Sequence, residues 1–231
     1  MPDTAPNPAA SAFGPKPLLI FDFDGTLAQT LEAGIAIFNE IGPGYGLKPV
    51  SAEEVQELRK LHTRALLDRL GVSRLLAVKL AAHVRKVLHE RIDGVGLIPG
   101  VGEAIRQLWQ DGFRLGILSS NSADNVRRFL QHHRLLDCFG FIEAGVSMFG
   151  KQQRIRHVLK KMKATPAESI YVGDETRDME AARRAGVCAL AVCWGANGRE
   201  AMLTEGPEYC VDTPPELVQA AREFAAQVEL G

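Results

Sequence analysis

The segment "LLIFDFDGTL" runs four apolar residues, Leu18 to Phe21, without alternation straight into Asp22 and Asp24. A strand with one wet face alternates apolar and polar residues. A continuous apolar run needs cover on both faces, which is the condition of a strand inside a parallel sheet. The two acids then stand at the carboxyl end of a buried strand, where an ionised carboxylate is costly unless something compensates for its lost hydration. The segment therefore calls for a layered α/β architecture and for a partner to its acids.

The same texture returns later in the chain. A helical pattern over Val101–Gln110 leads to the apolar run "FRLGILSS", then a helix over Ala123–His132 and a strand near Phe139–Ala144. A helix over Gln152–Met162, the strand "SIYVGD", a helix over Thr176–Ala185 and the strand "VCALAVCW" follow. Alternating strands and helices of this length predict a parallel sheet covered on both faces. From Leu31 to about Arg91 only helical stripes occur: Leu31, Ile35, Phe38 and Ile41; then Val55, Leu58 and Leu61; then Leu76, Leu80, Val84, Val87 and Leu88. Breaks fall at "GPGYGLKP" and near "LGVS". The expected organisation is an α/β core over 18–29 and 97–231, interrupted after its first strand by a helical insert over 30–96. Residues 1–17 carry five prolines and read as a disordered tail, without the charged and apolar regions of a signal peptide.

With 27 Lys+Arg against 28 Asp+Glu, the net charge of -1 gives no basic footprint for nucleic acid or an anionic membrane. No apolar run approaches the ~20 residues of a membrane span. Cys138, Cys188, Cys193 and Cys210 form no CxxC pair and have no histidine at zinc spacing. Cys188 and Cys193 flank "ALAV", so buried free thiols and a reducing, cytoplasmic setting are expected.

Ligands of open parallel sheets bind beyond the carboxyl ends of the strands. Here those ends carry Asp22 and Asp24; Ser119, Ser120 and Asn121; Lys151, at a helix start; and Asp174 and Asp178 in "GDETRD". Ionised carboxylates share a pocket only when a cation joins them, and an oxygen-only ligand set favours a hard one such as Mg²⁺. A lysine and hydroxyls beside it suit a phosphoryl group. Taken singly, the residues keep plainer readings. Asp22 and Asp24 also fit a strand-ending Asx turn, and Ser119–Ser120–Asn121 fits a helix N-cap, as does Ser122. Asp178 fits an exposed helical acid paired with arginine.

"DFDGTL", "SSN", Lys151 and "GDETRD", in this order, resemble the four motifs of the haloacid dehalogenase (HAD) superfamily, over about Leu18 to Cys210. The helical insert resembles the cap of its phosphoglycolate-phosphatase-like branch. The resemblance implies a Rossmann-like parallel sheet core (the HAD fold) with an inserted all-helical cap domain. It also implies a Mg²⁺-dependent phosphatase acting on a small phosphorylated metabolite, with phosphoglycolate as the family default. Asp22 would be the nucleophile that forms an aspartyl-phosphate. Asp24 would be the general acid/base, its backbone carbonyl joining Asp22 and Asp174 as metal ligands. Ser119, with the amide of Ser120, would bind phosphate; Lys151 would neutralise its oxygens and pair with Asp178 behind it.

In "LRKLHTRALL", Arg64, with His62 nearby, resembles the cap-loop arginine that meets a substrate's distal anion. The chain departs from the family pattern in three ways: Gln152 stands where proline often follows the lysine, Glu175 where a small hydroxyl residue is frequent, and the usual glycine of the cap loop is missing, with Leu61 nearby. Dehalogenases and phosphonatases lack the second acid, so Asp24 argues against both. A mutase of the β-phosphoglucomutase type shares every core motif, and a non-catalytic phosphate- or metal-binding module stays open as a different class. Hinges are expected near Thr30 and in "DGVGLIPG".

Overall fold

The computed structural model describes residues 16–58, 68–145 and 150–230. Strand β1 (Leu18–Phe21) is fully buried. Leu19 and Phe21 enter one apolar cluster, and Leu18 and Ile20 enter the other, as the two-residue period of a strand requires. Its parallel neighbours are β2 (Arg114–Ser119) and β4 (Ser169–Gly173), with Leu19 in register with Leu115 and Ile170. With β3 (Phe141–Ala144), β5 (Cys188–Val192) and β6 (Tyr209–Val211), the parallel sheet runs in the order β3-β2-β1-β4-β5-β6.

Helices cover both faces. On one side lie α4 (Val101–Gln110), α5 (Ala123–His132) and α9 (Pro214–Leu230). On the other lie α6 (Lys151–Met162), α7 (Thr176–Ala185) and the short α8 (Arg199–Leu203). Helix α4 buries Val101, Ala104, Ile105 and Leu108, a row at helical spacing. The expected elements stand close to their predicted bounds. In β3 the strand begins only at Phe141, because Leu136–Cys138 close a 3₁₀ turn first. β6 and α9 extend the fold beyond β5, the last strand predicted from the sequence.

Between β1 and α4 the chain forms α1 (Thr30–Ile41), α2 (Ala52–Leu58) and α3 (Arg74–Arg91). Its two connecting segments run side by side: the Gln29 amide donates to the Gly96 carbonyl at 2.9 Å and the Ile98 amide to the Leu27 carbonyl at 2.9 Å. Helix α3 turns Leu80 and Leu88 inward, as expected. Helix α1 is rotated from its predicted stripe: it buries Ile37, with Ala33 and Ile41 packed beside it, while Leu31 faces a cavity. Leu61 of the second stripe and residues 1–15 of the tail lie outside the described residues. Lys16 and Pro17, predicted within the tail, contact the core: Lys16 lies 5.1 Å over the Phe113 ring and the Arg114 amide donates to the Pro17 carbonyl at 3.3 Å.

No disulfide joins the four cysteines. Only Cys138 is buried; Cys188 and Cys193 are half-buried, because β5 leaves part of its ends uncovered, and Cys193 meets Cys210 with sulfurs 3.3 Å apart. Among the described residues no helix is long and apolar enough to cross a membrane.

Phe129 on α5 ties that helix to the loop after β1, its ring standing edge-on to Phe23 at 5.0 Å, and both residues are fully buried. Phe129→Ala is expected to cost about 3–5 kcal/mol, as truncation of a buried phenylalanine does. Urea unfolding should show the loss as a lower midpoint with an unchanged slope.

Candidate active site

The sheet reverses its direction of winding between β1 and β4, so the carboxyl ends of these neighbours flank the switch point where such folds bind ligands. Asp22 ends β1, and its own amide donates across to the Val172 carbonyl at 2.8 Å. Its carboxylate accepts from the Phe23 amide at 2.8 Å and from the Lys151 ammonium at 2.8 Å. Lys151, the first residue of α6, also donates to Asp178, and its ammonium lies 5.5 Å from the centre of the buried Tyr171 ring. Asp178 is wholly buried, which removes its reading as an exposed helical acid. Its second oxygen accepts from the Glu175 amide at 3.3 Å, closing a capping box on α7 in which Glu175 is the N-cap.

Asp174 follows β4 and is 1% exposed. It accepts from the Thr26 hydroxyl at 2.8 Å and from the Ala196 amide at 2.7 Å. Two glycines make room for it. A Cβ on Gly25, where φ is +74°, would sit 2.3 Å from an Asp174 oxygen, and one on Gly195 would sit 2.2 Å away. Asp22, Asp174 and Asp178 form an acidic cluster whose carboxylate oxygens lie within 4.8 Å of one another. Asp178, expected behind the site, thus stands within the cluster. The Asp24 carboxylate points elsewhere and accepts from the Asn121 side-chain amide at 2.9 Å.

Burial holds the Asp174 carboxyl well above its ordinary range, and the charges of Asp178 and Asp22 add to this. Burial likewise raises Asp178, against the pull of Lys151. Asp24 is pushed up to about 6 by burial and by the charge of Asp22, while the Asn121 and Thr30 hydrogen bonds oppose the shift. Burial alone would lower the Lys151 ammonium; Tyr171, Asp178 and Asp22 outweigh it and hold the ammonium well above its ordinary value. One lysine thus faces an excess of buried carboxylates. An oxygen-only donor set with a deficit of positive charge fits a hard divalent cation.

The remaining expectations divide. Ser119 is wholly buried, and its hydroxyl accepts from the Asn121 amide at 2.9 Å. Ser120 instead lines a cavity of about 660 Å³ together with Asp24 and Asp174 from the core and Leu31, Arg85 and Lys86 from the insert. Ser122 is the N-cap of α5, accepting from the Asn125 amide at 3.1 Å, so the capping reading belongs to it and not to Ser119. Arg64 and His62 lie outside the described residues. The sequence singled out Asn121 only as part of the strand-end motif and gave no role to Asn125 or His89; the three form a hydrogen-bonded series leading away from Asp24. The four-residue spacing of the two asparagines at a helix start was the available signal.

The family model for haloacid dehalogenase-like hydrolases matches residues 19–192. The chain is 36% identical over 209 residues to the phosphoglycolate phosphatase of Synechococcus elongatus, covering 90% of this chain and 99% of that protein. It is 26% identical to the phosphoglycolate phosphatase of Vibrio vulnificus, covering 87% and 94%. Among solved structures, a haloacid dehalogenase-like family protein from Streptococcus pneumoniae superposes with a TM-score of 0.76 at 19% identity, covering 89% of this chain and 98% of that one. CbbY from Rhodobacter sphaeroides, in complex with phosphate, does so with a TM-score of 0.65 at 22% identity, covering 87% and 96%.

The raised carboxyls fix the sign of a stability profile. A group such as Asp24, at about 6 in the fold against an ordinary 3.8, favours the native state when protonated, and that contribution is lost as pH rises through about 6. Glu40, Glu53 and Glu216 are shifted the other way, below 4.5, so their contributions fade only in stronger acid. Metal-free protein is therefore expected to melt a few degrees higher near pH ~5 than near pH ~7.5, and Mg²⁺ should raise the melting temperature most at the higher pH. Calorimetry with and without EDTA checks this; a metal-free profile that rises with pH across this window would contradict it.

Proposed function

The chain belongs to the haloacid dehalogenase-like hydrolase family, and from that premise we propose that it is a Mg²⁺-dependent phosphatase of a small phosphorylated metabolite, with phosphoglycolate as the first substrate to test. The observation that carries this reading is the Lys151 ammonium bridging Asp22 and Asp178 beside Asp174, at the sheet's switch point. Asp22 attacks phosphorus: its bond to phosphorus forms as the bond to the leaving oxygen breaks, giving an aspartyl-phosphate. Asp24, with its carboxyl raised to about 6, donates a proton to that leaving oxygen and then takes one from the water that releases phosphate. Lys151 neutralises the phosphoryl oxygens, and Asp178 fixes the lysine.

Asp22, Asp174 and the Asp24 backbone carbonyl would hold Mg²⁺, which supplies positive charge to the transferring phosphoryl group. The exposed Ser120 offers its amide to phosphate, and buried Ser119 sets the turn that presents it through the Asn121 amide. Residues 30–96 act as a cap domain that closes the cavity and selects the substrate, with hinges at the paired connectors. Arg85 and Lys86 bring positive charge to that cavity, and the resemblance assigns Arg64 to the substrate's distal anion. A reducing cytoplasm accords with the unbridged cysteines.

Phosphate release from phosphoglycolate and a panel of metabolite phosphates tests the reading. Turnover should require Mg²⁺ and fall by ~10⁴-fold or more in Asp22→Asn. Asp24→Asn should lose about 10²–10⁴-fold. Interconversion of a sugar phosphate without phosphate release would replace the phosphatase by a mutase, and Mg²⁺ binding without turnover would replace it by a binding module.

A further inference from the structure

We infer that His89, on the inserted helix α3, is a positioning residue for Asp24, acting through Asn125 and Asn121; this rests on the reading of Asp24 as general acid. The chain of hydrogen bonds has a fixed direction. The Ser122 amide can only donate, and it donates to Asn121 Oδ1 at 2.8 Å. The Asn121 Nδ2 group therefore faces Asp24 and donates to its Oδ1 at 2.9 Å. Asn121 Oδ1 also accepts from Asn125 Nδ2 at 2.8 Å, which turns Asn125 Oδ1 toward His89 Nδ1 at 2.5 Å. An amide oxygen cannot donate, so His89 does, from Nδ1.

Asn121 and Asn125 belong to the core, whereas His89 comes from the insert. Asn125 is only 4% exposed, and its own amide caps onto Ser122, so it has little freedom to find another partner. One turn further along α5, Arg128 donates to the His89 carbonyl at 3.4 Å and to Asp93 at 2.5 Å, fastening the end of α3 around this contact. The other end of the insert reaches Asp24 directly, through the Thr30 hydroxyl. Asp24 is thus approached from both ends of the insert, and the hydrogen-bonded chain behind Asn121 is complete only while α3 is docked on α5. A proton donor must stand within hydrogen-bond reach of the leaving oxygen, and small displacements of such a group are expensive in rate.

The test compares His89→Asn, which can present an N–H where Nδ1 stands, with His89→Gln and His89→Ala, which cannot, on two substrates. Phosphoglycolate loses an alkoxide that needs a proton; p-nitrophenyl phosphate loses a phenolate that does not. Because kcat/KM reports the steps up to formation of the aspartyl-phosphate, it isolates the proton donation. His89→Ala and His89→Gln are expected to lower kcat/KM for phosphoglycolate by ~30-fold, part of the about 10²–10⁴-fold that general acid–base catalysis supplies. His89→Asn should recover most of that loss, and p-nitrophenyl phosphate should change by no more than about threefold in any variant. Equal losses on both substrates, or an Asn variant as poor as Ala, would overturn the inference.

If the wild-type protein turns over neither substrate, the phosphatase reading fails, and the His89 imidazole ¹⁵N spectrum decides the chain by itself. A protonated Nδ1 that loses its preference in Asn125→Leu supports the chain, whereas a wild-type imidazole without that preference overturns it.

Discussion

The ammonium of Lys151 between Asp22 and Asp178 is the contact on which the rest of the site depends. Without it, the ends of β1 and the start of α7 would bring buried carboxylates together with no fixed positive charge, and one or more would have to take up a proton. The position has its own cost. Lys151 is the first residue of α6, where the helix dipole disfavours a cation. Its two acids and the face of Tyr171 reverse that penalty. Asp178 in turn gives one oxygen to Lys151 and the other to the Glu175 amide. A single carboxylate therefore caps α7 and holds the lysine. Breaking a buried pair of this kind leaves an uncompensated charge, so structure and charge balance cannot be altered separately here.

This contact is possible because of the strand order. β1 and β4 are neighbours, yet the chain between them visits β2 and β3 on the far side of β1 and then returns. Asp22 and Asp174 are far apart in the chain and adjacent in the sheet. Their approach also needs backbone without side chains nearby, which Gly25 and Gly195 provide around Asp174. Asp24, two residues beyond Asp22, escapes the crowd because the chain turns there, and its carboxylate meets an amide instead of another acid. That difference in surroundings gives two neighbouring acids different partners, Lys151 for Asp22 and Asn121 for Asp24.

The core strands and the acids at their ends were legible because continuous apolar runs and strand-end carboxylates are local signals. Lys151 was legible for a related reason: it begins the helix after β3, unlike Lys160 and Lys161 in its last turn. The orientation of α1 was not legible. Leu31, Ile35, Phe38 and Ile41 form as good a stripe as Ala33, Ile37 and Ile41, and the choice between them is made by what the insert packs against. The three-residue β6 is too short to announce itself, and it exists by pairing with β5. The role of Asp178 needed burial to separate it from an exposed helical acid. His89, Asn121 and Asn125 read as ordinary helix and cap residues because their meaning lies in a contact between α3 and α5 that no local pattern encodes.

An insertion into a finished sheet must leave and return without disturbing the strand it interrupts. Here it does so through two segments that hydrogen-bond to each other, Leu27 to Ile98 and Gln29 to Gly96, just past the acidic turn. The exit lies within a few residues of Asp22 and Asp24, so any movement of the helical insert is transmitted to the mouth of the site first. The exit residue Thr30 hydrogen-bonds Asp24, and the helix that returns to the core carries His89, with Asp93, bound by Arg128, in the turn just after it. Asp22, by contrast, is held by the sheet and by Lys151, both belonging to the core. Asp22 is thus held by the sheet and α6, while Asp24 is referenced to the insert. On the proposed mechanism, this ties proton transfer by Asp24 to docking of the insert over the cavity, where water would compete least with the substrate for the reacting groups.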